Sequence, residues 1–519
     1  MTVCTECPNQ SGTEVITPDA FQQSEAPAVI VPATESAKAE EVSYRELHGT
    51  IVCLQANLSR LGVGAHSRLA LALPNGIEFV ACFLAGVAQG ATVAPINPEY
   101  GDNEARALLE RIQPSLLLTS SERAAIGAAN GLGIRVARCV WDAKARSVVL
   151  EPSDSVPAPL PMTHLCKPSP DDGALMLFTS GTTGMPKGVI LTHQNLLVAV
   201  RILIRAQSLS PTDRCAIITP LFHVAGVGML LLSTLFSGGA AVIPASLSGA
   251  FWSQLEEHEV TWFHGVPTLH RLLLTFPRPP KMRRLRFVSS GGSSLAKDTL
   301  HNLETELESP VLERYGMTET APGIFCNSID RPRRSSCYPV PPEITVRILH
   351  SSEESGTLSL TDSVGIVGEI CLKGANIMDG YVDNADANAD VFVDGFFRTG
   401  DLGQLEPDGY LRLVGRLKEV INKGGEKIDP TEVEHLLLGH ESIRDVACFR
   451  VSDELYGEDI GVAIVPKAGC QLKPLDIKKH VRKSAIGFKV PKKVVFLDAI
   501  PCNRTGKYQR VLLSQQYGG

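Results

Sequence analysis

A chain of 519 residues is too long for one ordinary hydrophobic core, and its 44% hydrophobic and 20% charged content is that of globular domains, so two or more are expected. Forty-nine basic against 56 acidic residues leave a net charge of −7, which excludes a global attraction for nucleic acid or for an anionic membrane. Thirteen dispersed cysteines, an odd number, point to reduced thiols in an intracellular, cytoplasmic setting rather than to a disulfide framework. Cys4 and Cys7 have a Cys-x-x-Cys spacing with no second pair or histidine near, and are read as without a metal or redox role.

Residues 1–41 are polar, proline-dotted and without periodicity, so a loosely ordered approach to the fold is expected there. No basic region precedes an apolar segment, which argues against a signal peptide, and Tyr517-Gly518-Gly519 is no Ser-Lys-Leu type of peroxisomal address. Order is expected from Ser43-x-x-Glu46, a capping box, followed by Leu47, Ile51, Leu54, Leu58 and Leu61 at helical spacing. Then 68–73 reads as a strand, 77–89 as a helix, 91–96 as a strand, 103–112 as a helix and 115–119 as a strand. That βαβ alternation predicts a parallel sheet covered by helices.

The apolar run 174–178 reads as a buried strand, and it opens into Thr179-Ser180-Gly181-Thr182-Thr183-Gly184-Met185-Pro186-Lys187-Gly188. Glycines let backbone N–H groups approach phosphate oxygens, hydroxyls add donors, and an ammonium follows the charge of a leaving pyrophosphate. The stretch is therefore a candidate polyphosphate cradle. It is not a Walker A loop, because no Gly-Lys pair is followed by Ser or Thr. Residues 191–205 predict a helix. Residues 215–255 contain no Lys, Arg, Asp or Glu, but prolines and glycines break them into pieces too short to span a bilayer, so a buried helix with flanking strands is expected.

Within that stretch a strand at 216–219 leads into Pro220-Leu221-Phe222-His223. Residues 261–270, with His264, read as a strand entering a helix, and a strand at 285–289 opens into Ser290-Gly291-Gly292-Ser293. A strand at 311–314, including Glu313 and Arg314, runs into Tyr315-Gly316-Met317-Thr318-Glu319, and a β-rich segment covers 344–372. Asp401 follows Phe397-Arg398-Thr399-Gly400. A strand at 410–414 ends at Gly415-Arg416-Leu417-Lys418, the expected domain boundary. A loop with Lys423-Gly424-Gly425 precedes a helix, and strands at 446–451, 460–466 and 494–497 with a helix near 476–484 read as a small α+β domain. Asn503-Arg504-Thr505-Gly506-Lys507 lies near its end.

Taken together and in this order, these motifs resemble the adenylate-forming (AMP-binding) enzymes, a family that includes acyl-CoA synthetases, and the resemblance runs from about Val42 onward. It implies an α/β N-terminal domain (42–416) with parallel sheets and a β-rich, barrel-like subdomain, and a small mobile α+β domain (417–519). It implies that ATP, Mg2+ and coenzyme A serve the activation of a small-molecule carboxylic acid, without nucleic acid or a membrane span. For ATP and AMP it implies contacts from Thr179, Ser180, Gly181, Thr182, Thr183, Gly184, Lys187, Gly291, Gly292, Ser293, Glu313, Arg314, Tyr315 on adenine, Gly316, Thr318 on the α-phosphate, Asp401 on the ribose and Arg416. Glu319 would hold Mg2+, Lys507 and His223 would act at the reacting carboxylate, and Lys418 would be the hinge. Lys423, Gly424 and Gly425 would meet CoA, and His223, His264, Gly291 and Gly292 would line the acyl pocket.

Pro220–Val224, Thr261-Trp262-Phe263, 266–270, 415–430 and 488–493 look most like a fungal and plant branch of peroxisomal acyl-CoA synthetases that includes oxalate-CoA ligases. His264 and Ala321-Pro322-Gly323 depart from the expected oxalate pocket. Arg334-Ser335-Ser336-Cys337-Tyr338-Pro339-Val340-Pro341-Pro342 replaces a family stretch with three glycines, and a changed acyl pocket is expected from it. Transfer to a carrier-protein thiol, oxalate as the acid, and a non-catalytic nucleotide-binding role are the alternatives.

Overall fold

The computed structural model describes residues 14–519 except 21–23, 35–36, 121–123, 153–166, 180–185, 245–246, 278–280, 322, 331, 333–335, 352–357, 425, 485–486 and 504–506. The capping box forms as read: the Ser43 hydroxyl accepts from the Glu46 amide, the Ser43 amide donates to Glu46 Oε2 at 2.8 Å, and the helix Tyr44–Arg60 begins there. Strand Arg68–Ala72 then pairs in parallel with both Thr92–Pro95 and Leu116–Thr119. The connecting helix Ile77–Ala88 buries every residue but Glu78, because it is apolar all round. Gly86 lets it lie close to the sheet, since a Cβ there would come within 2.7 Å of Val93 Cγ2.

A second sheet has eight strands, in the order Phe325–Cys326, Val311–Tyr315, Phe287–Ser290, Trp262–Gly265, Arg214–Ala216, Ala240–Val242, Pro27–Val31 and Glu40–Ser43. Its strands from Val311–Tyr315 through Pro27–Val31 are parallel. The loops after Gly265, Ser290 and Tyr315 therefore leave at one edge, where ligands of parallel sheets bind. The uncharged stretch forms a buried π-helical segment, Ala225–Leu231, running into Leu232–Phe236 between two strands of this sheet. Among the described residues no helix is long and apolar enough to cross a membrane.

Two expectations fail. Described parts of the segment expected to be loosely ordered belong to the core: Ile16 is fully buried, its amide donates to His193 Nδ1 at 3.0 Å, and Pro27–Val31 pairs with Ala240–Val242. Ala28-Val29-Ile30 is too short to reveal a period, and its partner lies far along the chain. The helix expected from 191 starts at His193, capped by Thr192, because Lys187–Thr192 is a strand antiparallel to Gly173–Thr179. Thr179 and Lys187, which flank the candidate phosphate loop, thus lie opposite each other in a β-hairpin.

An antiparallel sheet of Cys337–Pro339, Tyr410–Arg416, Phe396–Leu405, Gly368–Lys373, Thr345–Ser351 and Leu358–Thr361, with Phe392–Val393 on Phe396–Leu405, forms the β-rich subdomain. From Ile421 a separate sheet begins, built on the long hairpin Ile443–Asp453 and Gly457–Pro466. Alternation along Ile443–Asp453 sends Val446 and Cys448 into one cluster and Ala447, Phe449 and Val451 into another, so both faces are covered. The last helix, Arg510–Tyr517, supplies Leu513 to the second cluster and has no strong sequence signal.

Candidate active site

The loops at the edge of the eight-stranded sheet meet the β-rich sheet and the C-terminal unit around three groups of side chains. In the first, Asp401 is 3% exposed and both its oxygens are engaged. The Tyr315 hydroxyl donates to Oδ2 and Arg416 Nε to Oδ1, each at 2.9 Å. Burial and the neighbouring carboxylate push the Tyr315 phenol up, so it stays a donor. Register delivers this pair, because Asp401 lies opposite Arg416 in the antiparallel ladder.

The second group surrounds Glu319, on a short 3₁₀ turn, Thr318–Thr320, next to Gly316. Its Oε1 accepts from the Tyr381 hydroxyl at 3.0 Å, and Lys187 Nζ stands 4.6 Å from the centre of the Tyr381 ring. Tyr381 therefore links the hairpin's lysine to the buried carboxylate, and sequence reasoning missed it. A lone tyrosine carries no periodic signal, and its approach depends on a bridge to Val189. Thr179 lies opposite Lys187 at the mouth of that hairpin. Ser180, Gly181, Thr182, Thr183 and Gly184 lie outside the described residues, as do Gly425, Cys4 and Cys7.

The third group brings the C-terminal unit to the sheet edge. Arg271 Nη2 donates to Asp445 Oδ1 at 3.1 Å and to the Tyr508 hydroxyl at 2.8 Å, docking the unit beside Lys507. The Asn503 side chain accepts from the Lys507 amide at 2.9 Å and fixes the loop. Lys507 Cε lies 3.7 Å from the position a Cβ on Gly292 would take, and Gly292 and Ser293 are exposed at the cleft floor. Burial and Arg416 lower the Lys507 pKa, while Asp401, Glu419 and Glu319 oppose the shift, so this ammonium sits among the groups just described.

His223 is held neutral, with its pKa lowered to about 4 by burial and by Lys507. Its Nδ1 accepts from the Ala225 amide at 3.3 Å, which puts the ring proton on Nε2. His264 is buried against Ser289 Oγ at 3.1 Å, and a Cβ on Gly291 would come within 3.2 Å of its Cε1. Burial and Arg314 hold His264 neutral too.

Not every expected contact converges. Glu313 is buried in the strand, and Arg314 is carried to the face of Trp262 and His264. Lys423 bonds Asp459 at 2.7 Å within the C-terminal unit, and Gly424 lies beside Tyr456, so neither is brought to Lys507. The altered stretch keeps a left-handed residue, Ser336 at φ 54°, and Tyr338 packs 6.0 Å from the Tyr315 ring. Its described part thus bears on the tyrosine expected at adenine rather than on the acyl side.

Three histidines set a pH dependence. His193, His223 and His270 each have a pKa lowered to about 4, chiefly by burial. The native state stays unprotonated where the unfolded chain takes up protons, so stability is lost as pH falls from the ordinary histidine value of about 6.5 toward 4. For the fully buried His193 and His270 this amounts to roughly 3 kcal/mol each. Denaturant midpoints should be flat from pH 8 to 7 and fall steeply below 6. A midpoint unchanged at pH 4.5 would refute it.

Comparison with known proteins agrees with this geometry. The family model described as AMP-binding enzyme matches residues 17–382, and that of the AMP-binding enzyme C-terminal domain matches 432–507. The chain is 45% identical to an acyl-CoA synthetase of Alternaria alternata, over 97% of this chain and 98% of that one. It is 38% identical to an oxalate–CoA ligase of Arabidopsis thaliana, over 92% and 93%. Among solved structures, ATP-bound MatB from Rhodopseudomonas palustris superposes with a TM-score of 0.85 at 26% identity, covering 97% of this chain and 99% of that one.

Proposed function

This chain belongs to the AMP-binding enzyme family, and from that premise we propose that it is an AMP-forming acid–thiol ligase, an acyl-CoA synthetase. It activates a carboxylic acid with ATP to an acyl adenylate, releasing pyrophosphate, and passes the acyl group to the thiol of coenzyme A, releasing AMP. One observation carries the reading: Lys507, from the C-terminal unit, lies against Gly292 in the same cleft as Asp401 and Glu319.

The residues suit the two ligands. Asp401, with two fixed oxygens, is a natural acceptor for the ribose diol, and the Tyr315 ring beside it offers a stacking surface for adenine. Among the described residues no group of three or more metal-ligating side chains exists, so Mg2+ would be held by Glu319 and completed by phosphate oxygens and water, as this ion prefers. When bound it neutralises phosphate charge. Lys507 stabilises the charge that builds as the carboxylate attacks the α-phosphate, Thr318 bonds that phosphate, and His223 Nε2–H orients the carboxylate.

ATP–pyrophosphate exchange with a panel of acids, followed by thioester formation with free CoA, tests this. No exchange with any acid, from folded protein, would refute it. A carrier-protein acceptor is the alternative, and thioester formation with free CoA at ordinary concentrations would remove it. We also infer a cytoplasmic setting, supported by free thiols at all described cysteines.

Lys423 and Gly424 meet CoA, in this reading, only after units 42–416 and 417–519 rotate about Lys418. The hinge is tethered: Leu417 N–H donates to Gly400 O at 2.9 Å, and the Lys418 carbonyl accepts from Arg450 at 3.1 Å. Lys418→Pro should slow thioester formation from supplied acyl adenylate about tenfold or more while sparing adenylation. Equal slowing of both steps would refute the hinge.

A further inference from the structure

Arg314 is 4% exposed, and among the described residues no carboxylate acts on its charge. The register of the parallel strands sets it on the same sheet face as Trp262, His264, Phe287 and Ser289. Its Nη2 donates to Gln207 Oε1, and its guanidinium carbon lies 5.9 Å from the centre of the Trp262 ring. Among the described residues, Nε and Nη1 have no hydrogen-bond partner. The groups that act on it electrostatically are the Cys215 and Cys326 thiols, both held protonated by burial. A buried guanidinium without a counter-anion costs several kcal/mol, and an apolar side chain of equal volume would fill the site at no such cost.

We propose that Arg314 receives a second carboxylate of the substrate and is a specificity-determining residue, so that the acid activated here is a dicarboxylic or higher polycarboxylic acid. This rests on the acyl-CoA synthetase reading. Gly291 and Gly292, consecutive at the sheet edge, connect the two ends of such a substrate. The Cβ position of Gly292 is 3.7 Å from Lys507 Cε, where the first carboxylate reacts, and that of Gly291 is 3.5 Å from Arg314 Cβ and 3.2 Å from His264 Cε1. Gly323, at φ +71°, packs beside the free nitrogen: a Cβ there would stand 3.6 Å from Arg314 Nη1 and meet Met229 Sδ at 2.6 Å. Nη1 brings two N–H donors and Nε one, which matches the acceptor capacity of a carboxylate and of no methyl terminus.

The test is ATP–pyrophosphate exchange with each straight-chain monocarboxylic acid paired with the α,ω-dicarboxylic acid of the same carbon number, from three to eight carbons. In the best pair the diacid should be favoured on the order of 10²-fold in kcat/KM, because a site built to bond a polar group rejects the analogue that lacks it. Arg314→Met should lower that ratio at least tenfold, by losing the diacid and gaining on the monoacid, with AMP affinity measured alongside as a check on folding. A parent enzyme that prefers the monoacid in every pair would overturn the proposal and leave the proposed function standing, and this needs no variant. Equal losses on both acids in Arg314→Met would overturn it as well. No exchange with any acid would overturn both readings.

Discussion

Lys507→Ala is expected to slow formation of the acyl adenylate by about 10² to 10³-fold, roughly 3 to 4 kcal/mol, the usual effect of removing one preorganised charge from a transition state. The ammonium reaches the cleft on a loop held by Asn503 and lies close to Gly292, within the field of Asp401, Arg416 and Glu319. Burial already disfavours the charged form there, so the fold holds an ammonium where its charge is costly and where developing negative charge would use it. Supplied acyl adenylate and CoA should still give thioester at close to the parent rate, because that step does not use this charge. Single-turnover measurement of each half-reaction decides the matter. If both fall equally while the protein stays folded, Lys507 belongs to the scaffold or to CoA binding.

Asp401→Ala should raise the KM for ATP by about 10²-fold or more and leave the KM for the acid nearly unchanged. Two effects combine. The ribose loses its acceptor, and the buried Tyr315 hydroxyl loses one of its hydrogen-bond partners. Arg416 is also released, but its side chain is 50% exposed and water takes up much of that loss. Stability should therefore fall by about 1 to 3 kcal/mol rather than by the full cost of a buried broken ion pair. Asp401→Asn, which keeps an acceptor, should lie between the two. Pyrophosphate exchange at varied ATP and AMP titration calorimetry check this. A variant whose KM shifts for the acid and not for ATP would remove Asp401 from the nucleotide site.

Much of the site could be read because its pieces are local. Strands ending at Ser290 and Tyr315 run into Gly291 and Gly316, as the sequence shows directly, and parallel pairing brings these loops to one edge. Tyr381 was not legible: its role depends on two distant partners, Glu319 and Lys187, and nothing in its flanking residues encodes either. The surroundings of Arg314 were not legible for a related reason. Neighbours in sequence along a strand point to opposite faces, so adjacency to Tyr315 in the motif says nothing of shared contacts.

The sequence by itself determined the α/β class, the Ser43–Glu46 cap, the βαβ start, the small C-terminal unit and the motif positions. Each depends on residues a few places apart, where side-chain period and capping chemistry act directly. Only the tertiary structure decided that Ile16 and Pro27–Val31 join the core, that Lys187–Thr192 closes a hairpin, and that Lys507 reaches Gly292. Among the described residues, it alone also left Nε and Nη1 of the buried Arg314 without a hydrogen-bond partner. Those outcomes are set by what comes to lie opposite a residue after the chain has packed. Pairing partners and desolvation are properties of that arrangement, and no local pattern carries them.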